Sequence, residues 1–440
     1  MENVVLSSES KNLFERMCSS AALHEAFIAV KRNKGACGVD GVSIDAFEAN
    51  LGQELTKLQQ EVVTWSYVPQ PVRRVEIPKP GPGAGVRMLG IPCIRDRVLQ
   101  TAMKSALEPI LDPLFSENSY GFRPGRSQRQ AVEAAQKIVQ SGKKYVVDID
   151  LAKFFDKIHH DRLVHRLSLI ICDKRILRLV GMTLRSGVMQ NGLVSETTEG
   201  SVQGSPLSPL LSNLVLDELD KELESRGLEF CRFADDCNIF VGSQNAAERV
   251  MKSVTKFIED RLKLEVNQTK SKVAESKYVK FLGMTIVDGD IAISRQSISR
   301  AMTRVKELTP RGTHYPIEQS VKRINQWYVG WSNYYKMTQY PAQLAAIEAH
   351  IRRRLRSRFV SQQKRRRYLV NKLVKLGWPH KQARKTVYSN RGRWALSHTK
   401  AVEKAYPNKW FTDRLGLKVR SDRKAENEHW HDIKRWIKLA

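Results

Sequence analysis

The apolar positions of this chain change period several times, and each change marks an element. Residues 10–31 and 43–66 carry apolar side chains at helical spacing, with Leu51, Leu55, Leu58 and Val62 on one face. The glycine-punctuated stretch GACGVDGVS separates these two predicted helices. Between Pro69 and Pro92, VRRVEIP and VRMLGIP flank a PGPGAG turn, which predicts a hairpin with a flexible tip. Helices are predicted over 94–111 and 128–139, on either side of the polar turn ENSYGFRPGRS. YVVDIDL is β-branched and bounded by polar residues, as a buried strand would be. Helical patterns run to about Arg185, a Gly-bounded hairpin follows, and SPLSPLLSNLVLDELDKELES predicts a helix. CRFADDCNIFV is apolar on both sides of an acidic pair, which predicts two strands joined by a tight turn. A helix, AERVMKSVTKFIEDRLK, and a hairpin, VKFLGMTIVDGDIAIS, come next. Past residue 295 the pattern is helical throughout, so the main boundary is expected near 290–300, where strands cease and positive charge rises.

Charge sharpens this picture. The 440 residues leave room for two to four domains, and 74 Lys and Arg stand against 46 Asp and Glu, a net charge of +28. So basic a chain points to a polyanionic partner, nucleic acid above all. The charge is uneven: from Ile351 to Arg367 there are nine Lys or Arg and no acid. The six cysteines are scattered without a C-x-x-C pair, which argues against structural zinc or a disulfide frame and fits a reducing compartment. The opening MENVVLSSESKNLFERM has no basic region followed by an apolar one, and no stretch reaches the roughly 18–20 apolar residues of a membrane helix. A cytoplasmic protein without a membrane partner is expected.

The chemistry-bearing residues are acidic. Asp150 lies on one strand, and Asp235–Asp236 occupy a strand turn. An Asp pair at a turn is ordinarily hairpin chemistry. Here it sits inside RFADDCNIF, where uncompensated charge would be costly and a metal would offset the cost. Three carboxylates of this kind suit Mg²⁺, a hard cation that bridges attacking and leaving oxygens in phosphoryl transfer. Asp148, two residues before Asp150, shares its face by alternation and stands as a rival. Lys79 and Arg87 flank the PGPGAG tip; they read either as solvated surface or as cations that close on a triphosphate.

The order VRRVEIPKP…VRMLGIP, NSYGFRPGRS, VVDIDLAKFFDKI, VQGSPLSPLLSNLVLDELD, CRFADD, VNQTKSKV, KFLG resembles the consecutive blocks of a reverse transcriptase. QGSPLSP and the later NQWYVGWSNYY narrow the resemblance to the group II intron reverse transcriptase/maturase family, over residues 20 to 420. It implies an α+β right-hand polymerase: fingers and palm with an antiparallel sheet flanked by helices, then an all-α thumb and a basic C-terminal region. The expected domains are 1–68, an N-terminal helical extension; 69–294, fingers and palm; 295–376, thumb/maturase; and 377–440, a basic DNA-binding region. It implies RNA-directed DNA synthesis with two Mg²⁺ ions and dNTP substrates. The implied partners are intron RNA, an RNA template and a DNA primer or target; homodimer formation stays open. By the same resemblance Asp150 and Asp235 would hold the metals, Asp236 would support them, and Phe155 would bar a 2′-hydroxyl. Gln203 would lie under the incoming nucleotide, with Gly204 letting the backbone approach. Lys270 would neutralise pyrophosphate, with Lys272 an equally basic alternative, and Phe281–Leu282–Gly283 would grip the primer end. Phe233 stands where the family usually has Tyr.

Trp327, Trp331 and Tyr334 fall on one helical face, which reads as core packing or as an RNA grip, with Lys322, Arg323 and Lys336 outside. The basic run after Ile351 reads as part helix face and part phosphate binding. No Cys lies beyond Cys237 and the chain stops early, so the His–Asn–His nuclease of some relatives is not expected despite His398, His429 and His431. Two other readings stay open: a splicing factor without polymerase activity, and a domesticated reverse transcriptase in repair or phage defence.

Overall fold

The computed structural model describes residues 12–78, 85–190, 192–195, 199–310, 313–362, 365–389 and 392–420. Two compact units divide between Glu275 and Ser276. The first begins with four helices, α1 (Leu13–Cys18), α2 (Ser20–Asn33), α3 (Ile44–Ala49) and α4 (Leu51–Val63), then the hairpin β1 (Val72–Pro78) and β2 (Val86–Ile91). There follow α5 (Ile94–Leu111), α6 (Gln128–Gln140), β3 (Tyr145–Ile149), α7 (His160–Ser168), α8 (Lys174–Leu184), β4 (Val188–Gln190) and β5 (Leu193–Ser195). The unit ends with α9 (Ser208–Ser225), β6 (Glu229–Phe233), β7 (Asp236–Val241), α10 (Gln244–Phe257) and β8 (Lys272–Glu275). Serines start several of these helices for a local reason: Ser19, Ser43, Ser127 and Ser243 each accept a hydrogen bond from the backbone N–H three residues on.

One four-stranded sheet runs β6-β7-β3-β8, antiparallel throughout. Alternation sends Val147, Ile149, Phe230, Cys237 and Ile239 into the main core, which also takes side chains of α5, α9 and α10. The same core includes Leu13, Phe27, Leu58 and Val62, so α1, α2 and α4 are part of this unit's packing. The other sheet runs β2-β1-β4-β5, and β1 pairs with β4 in parallel. The expectation of an antiparallel sheet is thus met by β6-β7-β3-β8 and corrected for this second sheet, which is mixed. Two hairpins meet edge to edge there, tied by the Val72 N–H to the Gly187 carbonyl at 2.9 Å. The chain between them supplies the long connection that a parallel pair requires.

The second unit opens with the hairpin β9 (Met284–Val287) and β10 (Asp290–Ile293). Its turn, Asp288–Gly289, has φ of 52° and 88°, as a tight two-residue loop demands. Among the described residues eight helices follow: α11 (Arg295–Leu308), α12 (Ile317–Tyr335), α13 (Pro341–Gln362), α14 (Arg366–Lys375), α15 (His380–Val387), α16 (Arg393–Leu396), α17 (Lys400–Ala405) and α18 (Asn408–Leu415). The compact units thus divide ahead of the expected 294/295 boundary, and the reason is visible. Gln343 of α13 accepts from the Ile293 N–H at 2.8 Å and donates to its carbonyl at 3.0 Å, while Gln339 accepts from the Ile291 N–H at 2.7 Å. These bonds fasten the hairpin to the helices. Ala383, Val402 and Phe411 share one core with Val305, Tyr328 and Leu355, so residues 377–420 pack with the helices before them.

Within α12 the buried stripe is Ile317, Val321, Ile324, Tyr328 and Ser332. Trp327 and Trp331 pack half-buried at its edge, and Lys322, Arg323 and Lys336 are exposed. The basic run of α13 and α14 divides in two. Arg354, Arg356 and Arg358 are buried: Arg354 donates to the Thr309 carbonyl at 2.7 Å, Arg356 to the Tyr406 carbonyl at 2.9 Å, and Arg358 to Ser320 and the Tyr315 carbonyl. The Arg353 guanidinium lies 3.9 Å from the Trp394 ring centroid. Arg365, Arg366 and Arg367 are exposed, and Lys364 lies outside the described residues.

Candidate active site

Strand β3 ends at Ile149, opposite Cys237 of β7, so Asp150 leaves the sheet where the β6–β7 turn begins. That turn is Ala234–Asp235, closed by the pairing of Phe233 with Asp236. Asp150, Asp235 and Asp236 are all half-buried. Burial, with the charge of Asp150 adding to it, raises the Asp235 carboxyl above the usual carboxylate range; the charges of Arg87 and Arg232 pull the other way. Asp148 sits inside the sheet instead, opposite Asn238 on β7 and Lys272 on β8.

The backbone of Asp150 is clamped by the VNQTKSKV turn through Asn267 and Ser271, two residues that motif reading had not singled out. Its N–H donates to the Ser271 Oγ at 3.0 Å, and its carbonyl accepts from the Asn267 N–H at 2.8 Å. The same turn delivers Lys270, whose Nζ lies 3.4 Å from Asp150 Oδ1 with an exposed side chain. Lys270 thus belongs to Asp150, and Lys272 stands opposite Asp148.

The Gly200–Gly204 loop gathers the remaining residues. The Ser201 N–H donates to the Phe155 carbonyl at 2.6 Å, and the Gln203 carbonyl accepts from the Gly90 N–H at 2.7 Å. Gly204 has φ of 114°, and a Cβ there would meet the Gly90 carbonyl oxygen at 2.4 Å, so only glycine fits. Phe155 is half-buried, edge-on to Phe154 at 5.2 Å. Arg87 is exposed on β2 within electrostatic range of Asp235. Phe155, Gln203, Gly204 and Arg87 are therefore tied to one loop and its neighbouring strand; Lys79 lies outside the described residues.

A second set was missed by motif reading. Arg232, fully buried, donates through Nε to Asp220 Oδ1 at 2.7 Å and through Nη1 to Asn213 Oδ1 at 3.0 Å and the Ala234 carbonyl at 2.9 Å. Asn213 and Asp220 lie seven apart on one face of a helix that also carries Asp217, Glu218, Lys221, Glu222 and Glu224, so nothing local set them apart.

Among the described residues no group of three His, Cys, Asp or Glu side chains could by itself hold a metal ion. The donor set nevertheless suits Mg²⁺, which is usually held by one or two carboxylates with substrate phosphates and water completing the shell. Asp150 and Asp235 supply hard oxygens and act on each other electrostatically, a repulsion that a divalent cation relieves. No helix among the described residues is long and apolar enough to cross a membrane.

In the second unit the Phe281–Gly283 turn is held by α12. The Tyr334 hydroxyl donates to the Leu282 carbonyl at 2.6 Å, and Tyr335 donates to Ser297 at 3.1 Å. These rings of the NQWYVGWSNYY stretch hold the turn in place.

Comparison with known proteins gives this arrangement a class. Residues 77–286 match the reverse transcriptase (RNA-dependent DNA polymerase) family, so the first unit carries a polymerase fold, with one antiparallel and one mixed sheet flanked by helices. Residues 298–376 match the group II intron, maturase-specific domain. Protein YkfC of Escherichia coli is 34% identical over 291 residues, covering 57% of this chain and 76% of that protein. The group II intron-encoded protein LtrA of Lactococcus lactis is 28% identical over 346 residues, covering 64% of this chain and 56% of LtrA. A Cas6-RT-Cas1–Cas2 complex aligns over 94% of this chain and 52% of its own, at 19% identity and a TM-score of 0.39. The chain belongs to the group II intron-encoded reverse transcriptase/maturase family.

Proposed function

We propose that this chain copies RNA into DNA by nucleotidyl transfer at Asp150, Asp235 and Asp236, and that it binds an intron RNA and assists its splicing. The observation that carries the reading is the convergence of Asp150 and Asp235, each fixed by backbone geometry, beside Arg87 and Lys270. Asp150 and Asp235 would hold Mg²⁺, with Asp236 in support. When bound, two such ions stabilise charge on the attacking and leaving oxygens of a phosphoryl transfer.

The chain's own side chains do the rest. Lys270 and Arg87 offer cationic partners to the phosphates of a dNTP, Lys270 as a mobile point charge and Arg87 as a planar fork. The Gly200–Gly204 loop holds Gln203 beneath the base and keeps Phe155 where its ring crowds a ribose hydroxyl. In this reading residues up to Glu275 carry fingers and palm. The helical unit from Ser276 carries the thumb and maturase surface, with target-DNA contacts from 377 onward. A splicing factor that had lost its polymerase would not need the paired carboxylates so carefully clamped.

The test is primer extension by the purified chain on a primed RNA template with Mg²⁺, beside the Asp150→Asn protein. Extension that requires both Asp150 and Mg²⁺ supports the reading, and full activity in the Asn variant defeats it.

A further inference from the structure

The network around Arg232 does more than bury an ion pair. An Arg–Asp pair with neither side chain exposed seldom outperforms well-packed apolar residues in stability, so its presence asks for another reason. The geometry supplies one. Ala234 holds φ of 57°, a left-handed conformation that a residue with a Cβ adopts only at a cost. Its carbonyl is the one that Arg232 Nη1 grips at 2.9 Å. The same Nη1 reaches Asn213, whose amide donates to the Gly121 carbonyl at 2.8 Å. Gly121 presses on the turn from the other side: a Cβ there would meet the Ala234 nitrogen at 2.3 Å. The strand carrying Arg232 is tied into that loop as well, with its N–H on the Asn118 carbonyl at 2.9 Å and its carbonyl accepting from Tyr120 at 2.8 Å. One buried guanidinium therefore braces Ala234, the residue immediately before Asp235.

We propose that Arg232, seated by Asp220 and Asn213, is a positioning residue that sets where the Asp235 carboxylate points. The inference rests on the reading of Asp235 as catalytic. Lysine cannot replace Arg232, because a point charge reaches Asp220 but lacks the fork that also reaches Asn213 and Ala234.

Two variants test this. Arg232→Met with Asp220→Leu exchanges the buried pair for apolar side chains, an exchange that often leaves stability unchanged. Arg232→Lys keeps a cation opposite Asp220. Both are compared with wild type and with Asp235→Asn for melting temperature, primer–template affinity, and kcat and KM for dNTP on pre-annealed RNA. The expected result is a folded protein with wild-type affinity, kcat lower by roughly 10- to 100-fold, and KM within about twofold, the signature of a displaced catalytic group. Wild-type kcat in either folded variant overturns the proposal, and so does failure of both to fold, which would make the network structural only. Full activity in Asp235→Asn would instead defeat the underlying reading of the site.

Discussion

In the sheet-bearing unit, Asp150, Asp235 and Lys270 stand half-buried or exposed at the end of the sheet, and burial pushes the Asp235 carboxyl toward its neutral form. In the helical unit, Arg354, Arg356 and Arg358 lie inside the core, where burial lowers the pKa of Arg356 and Arg358 below the usual arginine value. The partners differ as much as the places. Lys270 meets an opposite charge, whereas Arg354, Arg356 and Arg358 donate to backbone carbonyls. On the proposed reading, the charges at Asp150, Asp235 and Lys270 are chemical equipment, whereas Arg354, Arg356 and Arg358 are scaffold. A basic sequence alone does not say which arginines are free to meet a polyanion, and burial removes Arg354, Arg356 and Arg358 from the candidates.

The largest effect tests the first half of that contrast. Asp235→Asn should lower primer extension by three orders of magnitude or more, since a lost carboxylate removes about 4 kcal/mol or more of transition-state stabilisation. Its folded-state pKa is raised, so Asp235 supports the fold most when protonated at low pH, and that support is lost as pH rises through the folded value. Asparagine removes the charge, and the melting temperature at neutral pH should not fall. A clear drop in melting temperature would mean that Asp235 is scaffold too.

Arg358→Ala tests the second half. It removes a guanidinium that is 1% exposed and leaves Ser320 and the Tyr315 carbonyl without their donor. A loss of about 2–4 kcal/mol is expected, read as a lower denaturation midpoint, with little change in the salt dependence of RNA binding. An unchanged midpoint with weaker RNA binding would put Arg358 back on the phosphate-binding surface.

These cases show what was legible in the sequence. The hairpin around Asp235, the strand before Asp150 and the helices α5 and α9 follow from hydrophobic period and turn chemistry, because each is decided within about twenty residues. The parallel pairing of β1 with β4 was not legible, since it joins segments that nothing local brings together. The burial of Arg354, Arg356 and Arg358 was hidden for a related reason. Helical period puts them among apolar neighbours, but only the tertiary carbonyls of Thr309, Tyr406 and Tyr315 make their burial tolerable. Asn213, Asp220 and Arg232 were hidden as well, because two elements must pack before an acid in a helix finds an arginine in a strand.

A smaller effect concerns Phe155. It is half-buried and rests edge-on against Phe154, so trimming it should disturb the site more than the core. On the proposed reading of Phe155 as the residue that bars a 2′-hydroxyl, Phe155→Val should raise the ratio of ribonucleotide to deoxyribonucleotide incorporation by about tenfold or more. An unchanged ratio with a lower melting point would return Phe155 to the core and turn attention to Phe154.

The smallest effect separates exposed charge from buried charge within one basic run. Arg365, Arg366 and Arg367 are exposed, while Arg354, Arg356 and Arg358 of the preceding helix are not. Changing the three exposed residues to Gln should leave the denaturation midpoint within about 0.5 kcal/mol of wild type, as surface substitutions generally do. If each contacts one phosphate, the slope of log K against log salt should flatten by roughly two to three, from about 0.7–0.9 per contact. Arg358→Ala, measured beside them, should move the midpoint and leave the slope. A binding titration at three salt concentrations, paired with a denaturant melt for each protein, reads both axes at once. The contrast fails if the exposed triple variant keeps its full slope, because these arginines would then only solvate a helix. It also fails if both variants move both quantities, because burial would then be no guide to which cations the RNA meets.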